Sequence, residues 1–396
     1  MSLQSTPSAN RIHIGFFGAR NAGKSSTVNA FTELELAVVS DTKGTTTDPV
    51  LKAMELLPLG PVMIIDTPGF DDVGTLGEMR VKKTLQILRK TDIAVLVADA
   101  TAPLGACEQE LIGLFRQRDI PYLIAYNKCD LLQERRELSA HEMYISAKTG
   151  EGIHALKEAC ASVRSAQAEK PIIGDLLERG DTVILVVPID ESAPKGRLIL
   201  PQVQTIRDIL DVGARALVVK ESELKNALEA LSAPPKMVVT DSQVFELVSR
   251  IVPPEVPLTS FSILMARYKG YLETAYKGVK ALGTLREGDM VLIAEGCTHH
   301  RQCNDIGTVK IPRWLKQYTG KEIHIETCSG TEFPEDVSAY KLVIHCGGCM
   351  LTEREVKYRM NTCLQAGIPF VNYGVLIAFM NGILPRAVEM LHLEDE

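Results

Sequence analysis

Along most of the chain, short runs rich in Val, Ile and Leu alternate with longer stretches in which apolar residues return at every third or fourth position. The short runs read as buried strands and the longer stretches as amphipathic helices. Their alternation predicts an α/β fold with mainly parallel sheets. IHIGFFG, VMIID, PYLIAY and EMYI are the first strand candidates, and after Ala161 the polar stretch SVRSAQAEK leads to Pro171 and Gly174 and reads as a linker. A second α/β run has strands VILVVPI, ALVVK and KMVVT and helices PQVQTIRDIL, SELKNALEAL and SQVFELVSRI. Past Pro253, Pro254 and Pro257 it ends on a strand at FSILMA. A third run begins near Tyr268, with strands MVLIAEG, EIHIET, KLVIHC and PFVNYG, so the expected domains are 1–170, 171–266 and 267–396.

With 396 residues and 45% apolar content, the chain is long for a single core, in keeping with three domains of ordinary size. A net charge of −7 offers no positive field for a phosphate backbone, so nucleic acid is not an expected partner. No apolar stretch approaches the roughly 20 residues that span a bilayer, and MSLQSTPSAN at the start lacks the apolar core of a signal peptide. A cytoplasmic location with no membrane contact is therefore expected. Nine cysteines, an odd number, argue against a disulfide framework and leave reduced thiols, some of them candidate metal ligands.

The strand IHIGFFG runs into GARNAGKS, Gly18 to Ser25, which fits G-x-x-x-x-G-K-[ST] between a strand and a helix. Gly18 and Gly23 let the backbone N–H groups of Asn21, Ala22, Gly23, Lys24, Ser25 and Ser26 curl around phosphates at a helix N-terminus. Lys24 reaches the β and γ phosphates, and Ser25 offers a hydroxyl to Mg²⁺. DTPG, Asp66 to Gly69, ends VMIID and delivers a carboxylate to the metal side, with the Gly69 N–H available to the γ phosphate. NKCD follows PYLIAY, bringing Asn127, Lys128 and Asp130. An aspartate there accepts both donors of the guanine edge, which adenine does not present. Ser146, Ala147 and Lys148 follow EMYI as a base-packing loop.

Four such motifs in this order resemble the translation-factor-like branch of P-loop GTPases, over residues 11–165. The resemblance implies GTP and Mg²⁺ as cofactors and hydrolysis to GDP and phosphate. It places the first switch at KGTTTD, Lys43 to Asp48, with Thr46 as the second Mg²⁺ hydroxyl and Thr45 as the neighbouring alternative. Lys24, Thr46, Asp66 and Gly69 would then carry catalysis. Phe70 stands where Ras-like enzymes have the water-orienting glutamine, which implies slow intrinsic hydrolysis. Asn21 resembles the K⁺-binding asparagine of potassium-activated GTPases such as the tRNA-modifying MnmE group, and implies stimulation by K⁺.

In the third run, Cys297-Thr298-His299 follows MVLIAEG, and His345-Cys346-Gly347-Gly348-Cys349 follows KLVI. Both clusters sit at strand carboxyl ends, which share one edge of a parallel sheet, where ligands bind in open α/β folds. By spacing alone, the set suits either a structural zinc site or an iron–sulfur site with three cysteines and a non-cysteine fourth ligand. Together with the GTPase motifs, the C-T-H and H-C-G-G-C pair resembles the HydF family, GTPases that mature FeFe-hydrogenases. The resemblance extends over the whole chain, including VILVVPIDESAPKGRLILPQVQTIR, TDSQ and VKIPRW. It implies a GTPase domain, a dimerisation domain and a domain holding a 4Fe-4S cluster on Cys297, Cys346 and Cys349. His299 and His345 become a labile ligand or supporting donors. It further implies a homodimer, the radical SAM maturases HydE and HydG as suppliers, and apo FeFe-hydrogenase as recipient. The other class consistent with the motifs is a GTPase of ribosome assembly or tRNA modification with a structural zinc domain; the acidic charge and lack of a basic, aromatic-rich stripe weigh against it.

Cys303 and Asp305 are outside candidates for the fourth position; Cys328 also ends a strand on that edge but reads as a packed thiol. Cys107, Cys129, Cys160 and Cys363 have no ligand-like neighbours and read as packed thiols. Trp314 reads as a packing anchor in the helix IPRWLKQY. Asp190, Glu191, Lys195 and Arg197 form a solvent-facing charged loop, and the middle domain offers no catalytic constellation.

Overall fold

The computed structural model describes residues 7–33, 49–57, 59–69, 83–165, 170–189, 198–296, 305–330, 332–391 and 393. The chain divides into two compact units, Met1–Ala168 and Glu169–Glu396. It is α/β with mainly parallel sheets, as the alternation predicts.

In the first unit, β1 (Ile12–Phe17), β2 (Val50–Leu56), β3 (Gly60–Asp66), β4 (Ile93–Asp99), β5 (Tyr122–Asn127) and β6 (Glu142–Tyr144) pair in the order β2-β3-β1-β4-β5-β6. Only β2 runs antiparallel. β1 is buried along its whole length because both faces of the sheet are covered: Ile14 and Phe16 enter one core with Phe31 and Leu156, while Phe17 enters the other with Leu96 and Phe115. Helices α1 (Lys24–Thr32), α2 (Ala106–Gln117) and α3 (Ile153–Ser165) belong to this unit. The chain leaves β1 towards β3 on one side and later returns to β4 on the other, so the end of β1 is a topological switch point, where such sheets bind ligands. The stretch expected as a linker begins inside α3, which carries its helix on to Ser165.

The second unit holds two four-stranded parallel sheets. One consists of β7 (Thr182–Val186), β8 (Arg215–Val219), β9 (Met237–Thr240) and β10 (Leu258–Ser260), in the order β10-β9-β7-β8. The other consists of β11 (Met290–Ala294), β12 (His324–Cys328), β13 (Leu342–His345) and β14 (Phe370–Asn372), in the order β12-β11-β13-β14. The two windings are the same: first strand inside, second at one edge, third and fourth on the far side. Around them lie α4 (Leu200–Asp211), α5 (Leu224–Ala230), α6 (Phe245–Ile251), α7 (Phe261–Tyr268), α8 (Leu272–Gly278), α9 (Ile311–Thr319), α10 (Glu353–Gln365), α11 (Tyr373–Met380) and α12 (Leu384–Val388). One continuous apolar core, from Val183 and Phe245 to Ile344 and Leu376, serves both sheets.

The strand expected at FSILMA is instead helix α7. Ser260 ends β10 and caps α7, its side chain accepting from the Ile263 N–H, and Phe261, Ile263, Leu264, Met265 and Ala266 are all buried. A helix covered on nearly every side has no polar face and so shows no helical period in its sequence.

Candidate functional site

Immediately after β1, Gly18 has φ +144° and a side chain there would collide with the Val97 carbonyl, while Gly23, at φ +86°, is closed against Asn127 Nδ2. These two positions force the chain into a tight loop, with Asn21 also left-handed and Ala22 buried. Among the described residues no side chain caps α1, so its leading N–H groups are left open to an anion. Lys24 Nζ folds back over the loop, donating to the carbonyls of Gly18 at 3.0 Å and Ala19 at 2.7 Å. Ser25 Oγ donates to Asp66 Oδ2 at 2.7 Å, and the buried Asp66 Oδ1 has no partner among the described residues. Burial raises the Asp66 carboxyl above its ordinary value, opposed by the Ser25 hydrogen bond and the Lys24 charge. A hydroxyl beside a buried carboxylate with one orphaned oxygen suits a small hard cation. Thr67 Oγ1 donates to the Phe16 carbonyl at 2.7 Å and pins the start of DTPG to β1, and Gly69 lies half-buried beyond it.

At the end of β5, Asn127 joins two loops: its Nδ2 donates to the Ala22 carbonyl and its Oδ1 accepts from the Ala147 N–H, each at 3.0 Å. Ser146 Oγ donates to Asp130 Oδ1 at 2.7 Å, which aligns an exposed carboxylate, with Lys148 exposed close by in sequence. Lys128 adopts φ +67° and pairs with Asp99 at 2.5 Å. Burial pushes the Asp99 carboxyl up, but hydrogen bonds from Lys128 and Thr101 outweigh it and leave the carboxyl lowered. Asp99, which holds that lysine, was not singled out by the sequence motifs; its only signal is that it ends an apolar run, IAVLVAD.

In the second unit, register aligns Cys328, Ala294, His345 and Asn372 in one row at the carboxyl edge of β12, β11, β13 and β14. This brings Cys328 to the edge where the sequence places it. Cys346 Sγ accepts N–H bonds from Gly296 at 3.0 Å and Gly348 at 3.4 Å, the kind of support an electron-rich thiolate needs. Burial pushes the metal-free Cys349 thiol up to about 12. His345 is wholly buried: its Nδ1 lies 2.7 Å from the Cys346 carbonyl oxygen and its Nε2 3.4 Å from Arg359 Nη1. Since a carbonyl only accepts and a guanidinium only donates, Nδ1 carries the proton and Nε2 accepts. Burial, with the Arg359 charge, holds this imidazole down at about 3, so it is neutral. Arg359 is itself buried and paired with Glu355 at 3.1 Å. Asp305 Oδ2 accepts from the Thr308 N–H and hydroxyl and caps the turn Ile306–Lys310.

Cys129, Cys160 and Cys363 are buried and Cys107 is partly so, while Trp314 packs against the core. Among the described residues no cluster of three or more His, Cys, Asp or Glu gathers as a metal site. Lys43, Thr45, Thr46, Asp48, Phe70, Asp190, Glu191, Lys195, Arg197, Cys297, Thr298, His299 and Cys303 lie outside the described residues. No described helix is long and apolar enough to cross a membrane.

Three family models match separate stretches of the chain. Residues 13–128 match a family model described as 50S ribosome-binding GTPase. The tRNA modification GTPase MnmE of Thiobacillus denitrificans is 31% identical over 141 residues, covering 35% of this chain and 31% of that protein. MnmE of Legionella pneumophila strain Corby is 34% identical over 166 residues, covering 41% and 36%. The chain thus spans about a third of the length of these curated relatives. Among solved structures, Aquifex aeolicus Era bound to GDP and aluminium fluoride aligns with a TM-score of 0.36 and 18% identity, over 52% of this chain and 93% of that one. The G domain of T. maritima FeoB aligns with a TM-score of 0.31 and 24% identity, over 40% of this chain and all of that one. Residues 172–270 match the Hydrogen maturase F dimerization domain and residues 273–390 the Hydrogen maturase F tetramerization domain. With a GTPase domain followed by both of these, the chain belongs to the hydrogen maturase F family.

Proposed function

We propose that this GTPase is a scaffold and carrier: it holds a 4Fe-4S cluster and delivers the iron-containing precursor of the H-cluster to apo FeFe-hydrogenase. In this reading Gly18 and residues Asn21 to Ser26 cradle the phosphates. Lys24 neutralises charge on the β and γ groups, and Asn127, Lys128, Asp130, Ser146, Ala147 and Lys148 hold guanine. Ser25 and Asp66, with Thr46, would hold Mg²⁺, which supplies charge neutralisation; the orphaned Asp66 Oδ1 supports that assignment. Gly69 serves the γ phosphate, and Asn21 a K⁺ ion.

Cys297, Cys346 and Cys349 would hold the cluster, which supplies exchangeable iron coordination and electron transfer. The observation that carries this reading is the pair of N–H bonds onto Cys346 Sγ at the shared carboxyl edge of β11 and β13. His345, with both ring nitrogens engaged, acts as a supporting donor, which leaves His299, Cys303, Asp305, water or an exogenous group for the fourth iron position. HydE and HydG are the suppliers and the protein works as a homodimer or larger oligomer in the cytoplasm, with domains 1–170, 171–266 and 267–396. Nucleic acid and membrane have no part in this function.

The test is anaerobic reconstitution with iron and sulfide, followed by metal analysis and EPR of the reduced wild type and Cys346→Ser. A four-iron stoichiometry with a cluster signal lost in the variant is expected. Stoichiometric zinc without an iron signal overturns the reading.

A further inference from the structure

Two side-chain hydrogen bonds reach the thiolate loop from a turn distant in sequence. Lys269 follows α7, is 2% exposed, and donates from Nζ to the Leu351 carbonyl at 2.8 Å. Tyr271, 1% exposed, donates its hydroxyl proton to the Cys346 carbonyl at 3.1 Å and accepts from Asn372 Nδ2 at 3.1 Å. The turn is anchored in its own right. Arg267 Nη1 donates to the Ile172 carbonyl and to Asp175, each at 3.0 Å, and Ser262 in α7 donates to Asn372 Oδ1 at 3.1 Å.

The segment from Cys346 to Leu351 is therefore gripped by its carbonyls at both ends. Peptide groups are planar, so fixing the end carbonyls restricts the planes between them, including the one whose N–H reaches Cys346 Sγ from Gly348. Hydrogen bonds to sulfur and nearby charge are among the main determinants of an iron–sulfur group's reduction potential. Lys269 contributes to both: it restrains the loop through the Leu351 carbonyl, and it places a buried positive charge against that loop.

We propose that Tyr271 and Lys269 are positioning residues for the thiolate loop, holding its carbonyls so that backbone N–H groups stay directed at sulfur and the bound iron–sulfur group is easier to reduce. This rests on the cluster reading above. Neither residue touches the reacting atoms; both act through the backbone of Cys346 to Leu351.

Full-length wild type, Tyr271→Phe, Lys269→Met and Lys269→Arg are reconstituted anaerobically and titrated electrochemically with EPR detection. Tyr271→Phe and Lys269→Met are expected to bind as much iron as wild type but to reduce less readily. The equilibrium constant for one-electron reduction should fall about tenfold, which corresponds to about 59 mV. Lys269→Arg, which keeps charge and donors, should recover part of the loss. A wild-type potential in Tyr271→Phe overturns the proposal, and that variant decides the matter even if Lys269→Met does not fold, because it keeps the ring. Failure of the wild type to take up iron overturns the cluster reading instead.

Discussion

Asp66 keeps one oxygen on Ser25 while the other is buried without a partner among the described residues, and an unsatisfied charged oxygen costs folding free energy. Its folded-state carboxyl is raised above the ordinary 3.8, so the folded chain binds this proton more readily than the unfolded chain. The stability contribution is present below that value and is lost as pH rises through the raised one. Metal-free Asp66→Asn should accordingly melt higher than metal-free wild type at pH 7, with the gap closing towards pH 4 in calorimetry. The same variant should lose Mg²⁺-dependent hydrolysis by about 100-fold or more in phosphate-release assays. For Asp130, each of the two guanine donors bonded to a charged acceptor is worth roughly 1.5–3 kcal/mol, so Asp130→Ala should weaken GTP binding by about 100- to 10,000-fold in calorimetric titration. Burial pushes the Cys160 and Cys363 thiols up to about 12. In a native thiol count at pH 8 neither should react, and both should appear on unfolding.

At the scale of elements, the segment that opens the second unit is tied to α4 by one carboxylate: Asp208 Oδ2 accepts the N–H groups of Ile172, Ile173 and Gly174 at 3.0, 2.7 and 2.7 Å. Asp208→Ala should destabilise this unit by about 2–3 kcal/mol. Fluorescence of the sole tryptophan, Trp314, would follow that loss in denaturant, while GTP affinity stays unchanged. An unaltered unfolding midpoint would mean that the three bonds are not worth their geometry. The P-loop, DTPG, NKCD and SAK motifs were legible in the sequence because phosphate and base recognition need fixed residue types at short spacing. The strand ends bearing His345 and Cys346 were legible because an apolar run announces where a parallel strand stops. Helix α7 was not, since a helix covered on nearly every side shows no helical period in its sequence. Tyr271 was not either, because it stands 75 residues from the carbonyl it holds and only the tertiary fold brings them together.

For the whole molecule, the match to dimerization and tetramerization domains gives a meaning to the apolar groups left exposed around the sheet containing β8. Val203 and Leu210 project from the same face of α4, seven residues apart, and Val218 lies on the edge strand β8. Leu210→Glu should shift the protein towards smaller species in light scattering at matched concentration, with its circular dichroism melt retained. The row from Cys328 to Asn372 has a further consequence, in the order of synthesis. Cys346 and Cys349 are made before β14, the strand that supplies the Asn372 side chain steadying Tyr271. A growing chain therefore displays these thiols before the strand that braces their loop has been made.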